Sequence, residues 1–259
     1  MEHYIIDRRG AELVSITVGE ITAINRYPVK SFAGEELEAC KIESYGVQGD
    51  RYCSFYDMTK KDWWQYVTAR KIPNMLSYQA EYIEGDIRVT AADGRVFGWD
   101  AELLNEIQSL TSTQITMSEF KAPHPEAKHP QLLSVDGASI LLVTDKSLKK
   151  LKALWGKPVD QRRFRGNFVV EVSEDSLGEE EWLGRRLSIG GAELQVDSYC
   201  DRCVMITMNP DTLERDSSLL KQVNKEFNLN FGVYASVIRT GEVRLGDQVV
   251  LLPEGSVAE

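Results

Sequence analysis

From Val14 to Arg26 apolar side chains recur through Ile16, Val18, Ile21 and Ile24, with β-branched residues throughout, and this predicts a strand. Leu37 to Ser44 predicts a second strand, followed by a glycine-punctuated turn at Gly46-Val47-Gln48-Gly49-Asp50. Extended structure resumes over Tyr52 to Tyr56, and Tyr78–Ile83 and Asp86–Thr90 form a hairpin about Glu84-Gly85. The spacing of Leu103, Leu104, Ile107 and Leu110 predicts a helix over Ala101 to Leu110. A buried strand over Ser134–Thr144 feeds a helix capped at Thr144 or Asp145, which runs to about Trp155 and stops at Gly156-Lys157-Pro158. Further strands are expected at Asn167–Val172, Leu194–Ser198, Val204–Met208, Val233–Ile238 and Gln248–Leu252, with a helix over Ser217–Phe227. Many short strands and few helices describe a mostly-β α+β architecture of barrel or sandwich type, not a doubly wound parallel sheet. The proline-rich segment Lys121 to Pro130 has little to bury and reads as a linker, so two domains are expected, 12–120 and 131–253.

Composition narrows the possibilities. With 259 residues, a formal net charge of -10 and a pI near 5.0, the chain is a poor general binder of nucleic acid or acidic membrane. Basic clusters in it are therefore local departures of the kind that anion sites need. Cys40, Cys53, Cys200 and Cys203 are too sparse for a disulfide scaffold and imply free thiols in a reducing compartment. No signal-like or membrane-spanning apolar run is present, which predicts a cytoplasmic protein without a membrane span.

The candidate chemistry is concentrated at Cys200-Asp201-Arg202-Cys203, ahead of the apolar run Val204–Met208 and the turn Asn209-Pro210-Asp211-Thr212. A guanidinium beside a thiol favours thiolate, the form that attacks electrophiles and holds soft metals. Two buried structural cysteines beside a surface turn are the plainer alternative. One CxxC with no second pair is a poor closed zinc site, and a thioredoxin-like site would put its CxxC at a helix start. Three basic stations precede it: Tyr27-Pro28-Val29-Lys30-Ser31, Gly49-Asp50-Arg51, and Arg162-Arg163-Phe164-Arg165-Gly166-Asn167. Each alone is an ordinary solvated or ion-paired group. Together with a thiolate they describe a phosphorylated cofactor clamped by cations, with a soft metal on Cys203. Trp63 and Trp64 are read as packing residues.

These landmarks, together with Thr68-Ala69-Arg70-Lys71-Ile72-Pro73 and Trp182-Leu183-Gly184, resemble in order and spacing the MOSC domain (molybdenum cofactor sulfurase C-terminal domain) preceded by its companion β-barrel domain. The resemblance runs from about Ile16 to Leu252 and is nearest in pattern to the mitochondrial amidoxime-reducing component family. It implies a MOSC β-barrel with peripheral helices and a smaller N-terminal β-rich domain. It also implies molybdenum cofactor (Mo-molybdopterin), with Cys203 as protein ligand to the metal and Lys30, Ser31, Arg51, Arg163, Arg165, Asn167 and Arg202 around the cofactor. Cys200 would be a neighbouring thiol, Arg202 the electrostatic tuner of Cys203, and Asp211 a proton handler or loop anchor. Gly166 stands where relatives usually have proline, and Asp136-Gly137-Ala138-Ser139 replaces a proline-bearing turn on the substrate side.

By this resemblance the chain is an oxidoreductase that reduces small N-hydroxylated substrates by removing oxygen at molybdenum. No cysteine-rich iron–sulfur segment follows the MOSC region, so a separate electron-donor protein is implied. Two alternatives stay open. The chain is either a cofactor carrier or sulfur-transfer module acting through a Cys203 persulfide, or a protein in which Cys200 and Cys203 form a reversible disulfide without metal.

Overall fold

A computed structural model describes residues 2–6, 12–118 and 137–253; the linker reading at Lys121 to Pro130 lies outside them. The architecture is mostly β, with a seven-stranded barrel and three α-helices among the described residues. The barrel strands are β1 (Glu12–Arg26), β2 (Ile140–Thr144), β3 (Phe168–Val172), β4 (Arg186–Ile189), β5 (Ala192–Asp201), β6 (Asn230–Arg239) and β7 (Gln248–Leu251). Their order is β1-β3-β2-β6-β5-β4-β7, and β7 pairs back onto β1 to close the ring. Closure removes the unpaired edges that an open sheet of this size would carry.

Only β2 and β3 are parallel, and helix α2 (Asp145–Trp155) is the crossover such a pair requires. The Thr144 hydroxyl accepts from the Ser147 amide at its start, and Gly156 closes it in the left-handed region at φ 73°. Helix α1 (Ala101–Gln108) is capped by Asp100 and α3 (Ser217–Phe227) by Asp216, each carboxylate accepting from amides of the first turn.

Strand β1 comes from the N-terminal half and is an integral stave of the barrel. Its Val18, Ile21 and Ile24 pack inside with Leu142, Phe168, Leu194, Val233 and Val249, all essentially inaccessible, around the fully buried Trp182. Burial of such side chains contributes roughly 1.5–3 kcal/mol each. A second core joins Phe32, Phe55, Met75, Val89, Leu103 and Ile107, which fill the space between small sheets and α1. A third, around Phe164, Ile206, Leu219 and Phe231, lies beneath α2 and α3.

One local expectation is corrected. Val204–Met208 is not a strand: Val204–Thr207 form a 3-10 turn, with the Ile206 amide donating to the Cys203 carbonyl. Ile206 enters the third core while Met205 and Met208 pack against the second. In a strand Ile206 and Met208 would point to the same face and could not enter different cores.

The barrel seam rests on Gly19, where a β-carbon would lie 2.2 Å from the Glu171 carbonyl oxygen. Contacts of that kind cannot relax, because the obstacle is backbone of β3. Gly19→Ala is expected to cost about 1–3 kcal/mol and to lower the melting temperature without altering the pattern of strands in circular dichroism.

Candidate functional site

The three basic stations converge on one cleft of about 410 Å³ at the end of the barrel. Each reaches it through backbone that side chains rarely adopt: Ser31 has φ 71°, Arg51 φ 47° and Arg165 φ 54°. Such conformations are costly for residues with a β-carbon and persist only where surrounding structure enforces them. Here the enforcement is visible. The Lys30 amide donates to the Cys53 carbonyl, the Arg51 amide to the Tyr27 carbonyl, and Arg165 closes the 3-10 turn Gln161–Phe164.

Tyr27 organises the cations. Its ring lies 4.7 Å from the Arg51 guanidinium and 4.1 Å from that of Arg165, so two like charges share one aromatic body. Asp50 accepts from the Tyr27 amide at 2.7 Å and from Arg51 Nη1 at 2.5 Å. Arg51 Nη2 donates to the Arg165 carbonyl, and Arg165 Nη1 to that of Phe32. Burial raises the Tyr27 phenol above its ordinary range, against the pull of Arg165 and Arg51, and keeps it neutral. Asn167 is buried and serves the frame: its Oδ1 accepts from the Leu141 amide and its Nδ2 donates to the Asn25 carbonyl, joining β1, β2 and β3. Lys30, itself buried, lies 5.0 Å from the Tyr66 ring. Arg163 donates from Nη1 to the Ile206 carbonyl, but its buried Nε has no partner. Burial also pushes that guanidinium below its ordinary value, against the pull of Asp160, Asp216 and Asp211.

In the same cleft, β5 ends at Asp201 and Cys203 caps the following 3-10 turn, whose Ile206 carbonyl accepts from Arg163. All four cysteines are free. Three are buried and Cys203 alone is partly accessible; Cys200 and Cys203 both line the cleft. Burial pushes the Cys40 thiol up to about 12 and that of Cys53 higher, so both belong to the core. Cys200 is buried against the end of its own strand, its Sγ 3.8 Å from the Asp201 carbonyl oxygen.

The structure thus brings together Cys203, Lys30, Ser31, Arg51, Arg163, Arg165, Asn167 and Arg202. It assigns Arg202 differently from the sequence expectation of a tuner of Cys203. Its Nε donates to the Phe231 carbonyl at 2.7 Å, Nη1 to that of Phe164 at 2.8 Å, and Nη2 also to Phe231. The cation on the sulfur is instead Arg70, whose Nη2 lies 3.2 Å from Cys203 Sγ. Arg70 in turn lies 4.9 Å from the ring of Trp63, which lines the cleft rather than merely packing. The arginine in Thr68–Ile72 was on view as a landmark, but nothing in its local spacing pointed at Cys203. Asp211 does not join the cleft: it is exposed, receives both Nη atoms of Arg162 at 2.9 and 2.7 Å, and is held below the usual carboxylate range by that guanidinium. Tyr199, Tyr234 and Gly137–Ser139 complete the walls.

Among the described residues no three His, Cys, Asp or Glu side chains converge as a metal cage. A metal here would have one protein sulfur and take its other ligands from a cofactor. A soft sulfur donor that shares one cleft with several cations, one of them with an orphaned guanidinium nitrogen, fits a phosphorylated dithiolene cofactor of molybdenum.

Comparison with known proteins identifies the family. Residues 18–135 match the MOSC N-terminal beta barrel domain and residues 129–250 the MOSC domain. Mitochondrial amidoxime reducing component 2 of Macaca fascicularis is 24% identical, over 90% of this chain and 83% of that protein. Mitochondrial amidoxime-reducing component 1 of Xenopus laevis is 25% identical over 90% of this chain and 82% of its own. Molybdenum cofactor sulfurase of Drosophila ananassae is 34% identical, but over 48% of this chain and only 17% of that protein. The cleft with its single accessible thiol thus belongs to a MOSC-domain protein carrying the MOSC N-terminal β-barrel domain, similar to the mitochondrial amidoxime reducing components.

Proposed function

We propose that the chain binds molybdenum cofactor and reduces N-hydroxylated small molecules, R–NHOH taking up two electrons and two protons to give R–NH2 and water. The observation that carries this reading is the placement of the one accessible thiol, Cys203, in a single cleft with Arg51, Arg163 and Arg165. Cys203 would be the protein ligand to the metal. Arg51, Arg163 and Arg165, with Lys30 and Ser31, would hold the pterin and its phosphate, while Asn167 and Arg202 keep the strand ends that carry them in place. When bound, the cofactor supplies two-electron, oxygen-accepting chemistry; the protein supplies the sulfur, orientation and a partly enclosed polar site.

The remaining residues serve that site. Tyr27 and Asp50 fix the direction of the arginine forks, so a phosphate meets donors that need no reorganisation. Asp211, paired with Arg162, anchors the loop after the thiol segment. Electrons come from a separate protein. The free thiols support a cytoplasmic setting, and among the described residues no helix is long and apolar enough to cross a membrane.

Protein made in a molybdenum-competent host is expected to carry the metal and the fluorescent oxidised pterin, and Cys203→Ser to lose molybdenum; retention at the wild-type level would remove the ligand assignment. Arg165→Ala should cut pterin content about 10-fold, as expected for one charge-assisted contact, whereas Arg162→Ala, which breaks only the exposed ion pairs with Asp160 and Asp211, should leave it within about twofold. With an artificial electron donor, benzamidoxime should be converted to benzamidine. Stoichiometric molybdenum without turnover of benzamidoxime or hydroxylamine would instead identify a carrier.

A further inference from the structure

Arg70 has no role in the reading above, yet it is the side chain that touches the reactive sulfur. The turn that carries it is tightly made. The Lys71 and Ile72 amides both donate to the Thr68 carbonyl, and Ala69 and Ile72 are buried in the second core on either side of Arg70. With its flanking residues pinned inward, Arg70 projects into the cleft, lies 4.9 Å from the Trp63 ring and directs Nη2 at Cys203 Sγ from 3.2 Å. A planar guanidinium on an indole keeps its fork in one orientation, which a flexible lysine would not.

The geometry points to Arg70 as a positioning residue of the Cys203 sulfur, with Trp63 as its support: the pair fixes the direction of the sulfur in the cleft and tunes its donation to the bound metal. The physical ground is general. A hydrogen bond to a ligating cysteine sulfur withdraws electron density from it, and this raises the reduction potential of the metal it holds. The fixed positive charge acts in the same direction. The inference rests on the reading of Cys203 as the metal ligand. It adds two residues from the N-terminal half, carried by segments 62–65 and 68–72, to a sulfur carried by the C-terminal half.

Two measurements test it, one with and one without cofactor. In loaded protein, the midpoint potential read from the Mo(V) electron paramagnetic resonance signal should move to more negative values in Arg70→Ala and Arg70→Gln. Arg70→Lys should recover part of the shift, and Trp63→Phe should lie nearer wild type than Trp63→Ala. In cofactor-free protein, Cys203 should be alkylated by anionic iodoacetate at a higher rate relative to neutral iodoacetamide than in Arg70→Ala. That ratio should fall about fivefold on losing one nearby positive charge, and it cancels any change in overall thiol reactivity. Arg70→Gln keeps the size and planarity of the side chain tip, and its melting temperature checks that the fold is retained. Wild-type potential together with a wild-type alkylation ratio in Arg70→Ala and Arg70→Gln would overturn the inference. Where a variant holds no molybdenum, the alkylation ratio decides by itself. Molybdenum retained by Cys203→Ser would overturn the ligand reading instead, and with it the metal-tuning role.

Discussion

The site depends on keeping several cations together in one cleft. Arg51 and Arg165 come from opposite halves of the chain, and their guanidinium groups would repel in a shared low-dielectric wall. Tyr27 presents its ring to both, Asp50 grips Arg51 and the Tyr27 amide together, and backbone carbonyls of Arg165 and Phe32 take further donors. The Asp50 carboxylate, the Tyr27 ring and peptide dipoles thereby each offset part of the repulsion. A local cluster of cations is so gathered in a chain whose net charge as a whole is -10.

This arrangement explains the division of labour among side chains that look alike in the sequence. Within Arg162–Arg165 the first arginine pairs with Asp160 and Asp211 at the surface, while Arg163 and Arg165 turn inward. Arg202, beside the thiol in the chain, is committed to the carbonyls of Phe164 and Phe231 and so fastens the arginine-bearing turn to β6. Losing it would move the cleft wall as well as a charge. Backbone strain is stored in the same place, since Ser31, Arg51 and Arg165 all adopt positive φ at the cleft.

The barrel supplies the rigidity that such strain needs. β1 runs from the seam at Gly19 to Arg26, and the next five residues are the station that ends in Lys30 and Ser31. β5 ends at Asp201, directly before Arg202 and Cys203, and β3 starts at Phe168, just after Asn167. Three staves of one closed sheet therefore deliver the two walls. A shift in strand register at any of them would displace a wall by a residue spacing, too far for the cleft to hold a ligand from both sides.

Much of this was legible in the residues. Alternating β-branched runs located β1, β3 and β6, and the Thr144 cap and Gly156 stop bounded α2, because these signals are local and owe little to tertiary context. The ordered landmarks likewise named eight side chains that meet in the cleft. What the chain alone could not settle was direction. It could not tell that Val204–Thr207 must turn to reach two cores, that Arg202 gives its donors to the carbonyls of Phe164 and Phe231, or that Asp211 is held outside by Arg162. It also gave no sign that Arg70 and Trp63, 133 and 140 positions before Cys203, would come to stand over it. Periodicity and spacing encode which residues share a face of one element. Contacts between elements are decided only when the barrel closes and the N-terminal turns pack against its end.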